Sequence, residues 1–233
     1  AILFPECMGV GTLAEDTLVV GGMPYQICDL TNVDQSATLY SNFSIEGRLD
    51  NGGRPDYYPK NIAWRINGQV QVGTDFTPLN SAERAAALAS PVQLTLPAGT
   101  TLLTTSNNDS ELLIQPDARL RVAGSADAPV TLGVAGLTAG DITSGWRGIT
   151  VNGADDSAKQ LDIQYLRLYD TGEDGQAAFT LNEVGADSNI TYLDIYGAGA
   201  DGLNINGGAA NFNHLLMANI AGDQIQWQNG YQG

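Results

Sequence analysis

The chain has 233 residues, with 26 acidic and 10 basic side chains, one histidine and a formal net charge of -16. That balance excludes a nucleic-acid binder, which needs a basic stripe to neutralise phosphates, and an anionic membrane surface would repel the chain for the same reason. Charged residues make up only 15% while glycine, alanine, asparagine and threonine are plentiful, a mixture that suits short strands and tight turns rather than a helical bundle.

The chain opens Ala1-Ile2-Leu3-Phe4 without an initiator methionine, which reads as the mature start left by a removed signal peptide. Ile2, Leu3 and Phe4 form an apolar arm suited to docking on another subunit. Cys7 and Cys28 are the two cysteines, and an even pair near a processed N-terminus suits a disulfide, two free buried thiols being the alternative. Residues 1–47 read as an N-terminal cap region with strand candidates at 37–40 and 43–45. The stretch 50–59 is rich in turn formers and reads as a surface loop. It presents Tyr57 and Tyr58, the residues nominated for contact with a glycan or a partner. Strand candidates at 63–66 and 69–72 flank Asn67-Gly68, a tight-turn signal. Asn80-Ser81 ahead of an alanine-rich run over 82–88 predicts a short helix inserted between strands.

From residue 92 onward the strands repeat. Rungs at 148–151, 178–181, 202–205 and 224–227 place Ile149, Phe179, Leu203 and Ile225 at matching positions, roughly 30, 24 and 22 residues apart. Apolar and polar side chains alternate within each rung, as in strands with one buried face. A second set falls at 161–163, 190–192 and 211–213, and a third at 166–168, 194–196 and 216–218. Three strand sets per coil predict a parallel β-helix over 48–233, right-handed by the general preference of parallel crossovers. A barrel or sandwich would also alternate, but its turns would not keep phase from coil to coil.

Several segments carry a family resemblance: the N-terminal cysteine pair, "LTLPAGTTL" (94–102), "LLIQPDARLRVAGSADAPVTL" (112–132), Gly145-Trp146-Arg147-Gly148-Ile149, and the closing "ADGLNINGGAANFNHLLMANIAGDQIQWQNGYQG". In these the chain resembles a family of secreted or surface-attached bacterial β-helix proteins, frequently mislabelled as lipoproteins or multidrug transporters. The resemblance implies an all-β, pectin-lyase-like solenoid on the outer surface or outside the cell. Paired acids of that family are reduced here to Ala200-Asp201 and Asp223-Gln224, and its Asp before Trp is Gln226. Members also continue past the Gly-Tyr-x-Gly segment, which leaves room for further coils beyond 233.

Candidate chemistry is sparse. Asp174, Asp201 and Asp223 lie beside turns, where stacked coils can bring oxygens together on a hard cation such as Ca²⁺; Asp174 and Asp201 are expected at equivalent positions ahead of their rungs. The alternative is that Asp favours turns for its own backbone bonds. Glycoside hydrolysis needs two carboxylates across a cleft, and Asp201 with Asp174 or Asp223 is the pair to nominate. His214 stands alone, whereas zinc or copper wants several His or Cys ligands. The reading is a non-catalytic, extracellular or cell-surface structural or adhesive β-helix, self-assembling or docking on another surface protein, without membrane insertion. The alternative is a polysaccharide-binding or polysaccharide-degrading protein, a lyase or glycoside hydrolase if an enzyme at all.

Overall fold

The computed structural model describes residues 6–20, 23–41, 62–105, 109–134, 145–153 and 159–233. The arm residues Ile2, Leu3 and Phe4, the loop residues Tyr57 and Tyr58 and the strand candidate at 43–45 lie outside them. In chain order the elements are β1 (Gly11–Val20), β2 (Met23–Leu30), β3 (Ala37–Thr38), β4 (Ile62–Ile66), β5 (Gln69–Val72), α1 (Ser81–Leu88), β6 (Val92–Pro97), β7 (Thr101–Thr104), β8 (Glu111–Ile114), β9 (Ala118–Ala123), β10 (Val130–Val134), β11 (Gly148–Asn152), β12 (Leu161–Thr171), β13 (Phe179–Asn182), β14 (Asn189–Ala198), β15 (Leu203–Asn206), β16 (Asn211–Ile220) and β17 (Ile225–Gln228).

These strands stack as three parallel ladders. The first is β5, β8, β11, β13, β15 and β17. A second runs through β3, β6, β9 and the first halves of β12, β14 and β16. The third comprises β2, β4, β7, β10 and the second halves of the same three long strands. From β5 onward the chain visits the ladders in one repeating order, so each circuit lies on the previous one. The expected partners Ile149, Phe179, Leu203 and Ile225 are in register as the rungs required. Inward side chains form apolar columns such as Leu132, Leu168 and Ile195, all fully buried. Burying such a side chain contributes about 1.5–3 kcal/mol, which is how stacking offsets the ordering of the backbone.

Single residues turn the long strands from the second ladder into the third. Tyr165, Tyr192 and His214 adopt left-handed φ values of 51°, 58° and 59°. That conformation costs a non-glycine residue roughly 1–2 kcal/mol. Ring stacking opposes the cost: Tyr165 lies 4.2 Å from Tyr192, and Tyr192 lies 4.2 Å from His214.

The N-terminal region is tied to the column. β1 pairs antiparallel with β2, and β2 begins the parallel third ladder, so stacking already includes residues before 47. Cys7 and Cys28 form the expected disulfide, with an S–S distance of 2.05 Å. Across β2 and β4, Arg65 binds Asp29 at 2.6 Å. Asn67 and Gly68 do turn the chain, but β4 and β5 belong to different ladders and are not hairpin partners. The turn is a corner, because the backbone of β5 pairs with β8 while that of β4 pairs with β2 and β7. The inserted helix is present with Asn80 as its cap: the Asn80 side chain accepts from Ala82 and Glu83 N–H, and the Asn80 N–H donates to the Glu83 carboxylate. No α1 residue is buried, so the helix rides outside the column.

Candidate functional site

The nominated carboxylates stand where the third ladder hands the chain back to the first. Asp174 sits in a short turn, Glu173–Gly175, with a left-handed φ of 56°. Its Oδ2 accepts from Arg147 Nη2 at 2.9 Å, and Arg147 also faces Asp109 at 3.6 Å. The bond to Asp174 raises the Arg147 pKa above its ordinary value, holding the guanidinium charged. Neighbouring Glu173 accepts from the Gly145 N–H at 3.2 Å, and so helps hold the Gly-Trp-x-Gly rung against the next coil.

Asp201 and Asp223 are organised differently. Asp201 Oδ1 accepts the Asp223 N–H at 2.8 Å. Backbone bonds from Ala178 N–H to the Asp201 carbonyl and from Gly202 N–H to the Asp223 carbonyl, both 2.9 Å, continue the first ladder through these residues. Because Phe179 pairs with Leu203 and Leu203 with Ile225, the residue equivalent to Asp201 and Asp223 in the coil above is Ala177. The expected equivalence of Asp174 and Asp201 is therefore corrected: the short turn around Asp174 adds residues before its rung. Among the described residues no three His, Cys, Asp or Glu side chains are grouped so as to hold a metal ion.

The three tryptophans and His214 divide between core and surface. Trp64 and Trp146 are fully buried and donate their indole N–H groups to the Tyr40 carbonyl at 2.8 Å and the Tyr169 carbonyl at 3.0 Å. Trp227 continues the inward column of Val151, Leu181 and Ile205 but is 66% exposed, because no described strand lies beyond β17. His214 is the last ring of the aromatic stack rather than a lone ligand.

Two arrangements escaped the sequence reading. One is an amide ladder on the outer face of the first ladder: Asn182 Nδ2 donates to Asn152 Oδ1 at 3.0 Å, Asn206 Nδ2 to Asn182 Oδ1 at 2.8 Å, and Gln228 Nε2 to Asn206 Oδ1. Each member falls three positions after Ile149, Phe179, Leu203 and Ile225, so the signal was a second periodicity locked to the first. The other is the tyrosine–histidine stack at the strand bends.

With this geometry in hand, residues 144–233 match the family model described as a pectate-lyase like beta helix domain. No curated protein and no solved structure gives a match. The matched segment spans β11 to β17, the coils that carry the amide ladder and Asp174, Asp201 and Asp223.

Proposed function

We propose that the column is a right-handed parallel β-helix serving as a secreted or cell-surface structural or adhesive module, without turnover of its own. One observation carries the reading: two of the three carboxylates nominated for chemistry, those of Asp174 and Asp201, are spent joining neighbouring coils. Asp174 holds Arg147, and Asp201 holds the backbone of Asp223. Arg65 with Asp29 and Arg167 with Asp194 do the same on the third ladder. Polar groups committed along the axis favour a stiff rod whose sides are available to partners. The Cys7–Cys28 disulfide supports an oxidising, extracellular setting. No described helix is long and apolar enough to cross a membrane.

The test is incubation of the protein with neutral and acidic polysaccharides, following reducing ends and chain unsaturation. No turnover is expected. Turnover abolished by Asp201→Asn would establish the competing reading, a polysaccharide-degrading β-helix, which the pectate-lyase-like match favours. The self-assembling version predicts concentration-dependent sedimentation that weakens without residues 1–5, and a strictly monomeric species in both cases removes it.

A further inference from the structure

Cations are scarce in this chain, and most described ones are visibly employed. Arg65, Arg147 and Arg167 each sit on a carboxylate of a neighbouring coil, and Arg84 donates to the Leu79 carbonyl at 3.0 Å. Arg119 and Arg121 are the exceptions. Both are exposed on β9, where the alternation sends Leu120 and Val122 into the core and the two guanidiniums out on one face. Among the described residues neither has an ion pair or hydrogen bond, although acids outnumber bases 26 to 10 in the chain.

Their neighbours make a pocket. Gln93 of β6 pairs with Arg119, and Asp162 of β12 pairs with Arg121, on either side of β9. With Lys159 and Gln160 they line a recess of about 230 Å³. Gln160 is fixed as its floor, donating inward to the carbonyls of Gln115, Pro116 and Asn152. The carboxylate in the lining, Asp162, lies 3.7 Å from Lys159, and with side chains 40% and 50% exposed that pair is weak. Among the described residues that line it, three cations therefore face one carboxylate, in a chain whose net charge is -16.

We propose that this recess is an oxyanion site, in which Arg119 and Arg121 take a carboxylate or sulfate group. A planar guanidinium matches such a group with two parallel N–H donors, and alternate residues of one strand present two of them on the same face. The Gln93 amide, held to Thr95 Oγ1 at 3.0 Å, is placed to meet hydroxyls beside the anion. The anion arrives either free or carried on an acidic saccharide. This site lies on the second ladder, apart from Asp174, Asp201 and Asp223, and it does not depend on whether the module has turnover.

Titration calorimetry on the full chain at low ionic strength tests it, with sodium sulfate, an oligouronate, a sulfated oligosaccharide and a neutral dextran oligomer as probes. Saturable binding of at least one anionic probe is expected, with none to the neutral oligomer. Arg119→Gln and Arg121→Gln should each weaken it about tenfold, as loss of a charge-assisted bond implies, and raising salt from about 20 to about 200 mM should weaken it further. Arg121→Lys, which keeps the charge and loses the fork, should fall between. Sulfate binding alone identifies a free anion as the source; binding of an oligomer without sulfate identifies the saccharide. Failure of every anionic probe, equal binding of dextran, or unchanged affinity in the double Gln variant with an unaltered unfolding midpoint would overturn the proposal.

Discussion

Asn182 is the residue on which the stacking of the matched coils can be tested most directly. It stands mid-ladder, donating to Asn152 and accepting from Asn206. Asn182→Ala removes both bonds and leaves two half-buried amides short of a partner. At about 1 kcal/mol per bond, with a further penalty for the stranded groups, the loss should be about 2–3 kcal/mol. For a chain of this length that lowers the unfolding midpoint by about 4–12 °C. Asn182→Asp separates the two bonds. A carboxylate still accepts from Asn206 but cannot donate to Asn152, so about half the loss is expected at neutral pH. Protonation near pH 3 restores a donor, and the deficit relative to wild type at the same pH should shrink. Differential scanning calorimetry and urea titration of the three proteins at both pH values give the answer. Should Asn182→Ala cost no more than Thr180→Ala, its outward neighbour on β13, the amide ladder contributes nothing and polar side chains do not brace the column.

Replacing Cys7 and Cys28 by serine should cost about 3 kcal/mol in the chain-entropy account of a loop separated by 21 residues, read as a lower urea midpoint that reductant reproduces in the wild type. Gly153→Ala should be among the most damaging single changes, because a Cβ there would lie 1.9 Å from the Glu183 carbonyl oxygen; an unchanged midpoint would contradict the close approach of those coils. Stability should fall as pH rises above 10. Tyr165, through burial and its bond to Tyr192, and Tyr231, through burial, have pKa values raised above the ordinary 10.0. The folded state therefore retains protons that the unfolded state loses, so the slope is negative from pH 10 upward through the folded pKa. Tyr165→Phe with Tyr231→Phe should flatten that slope in denaturation curves.

Much of the architecture was legible in the chain itself. The period of Ile149, Phe179, Leu203 and Ile225 and the alternation within each rung specify which faces are buried, because a strand's side chains point alternately in and out whatever surrounds them. Asn80 ahead of the alanine-rich run likewise announced a helix start, because a cap is a purely local bond. What needed the folded chain was everything set by the offset between coils. Asp174 and Asp201 look alike in sequence, yet one added turn gives them different partners. Trp146 and Trp227 both belong to rung motifs, but the first is buried against the coil of Thr171 while no described strand covers the second. Arg119 and Arg121 carry no motif of their own; only the register puts Lys159 and Asp162 beside them. Local pattern decides inside from outside along a strand; which polar groups meet depends on contacts tens of residues away, and those exist only once the column is wound.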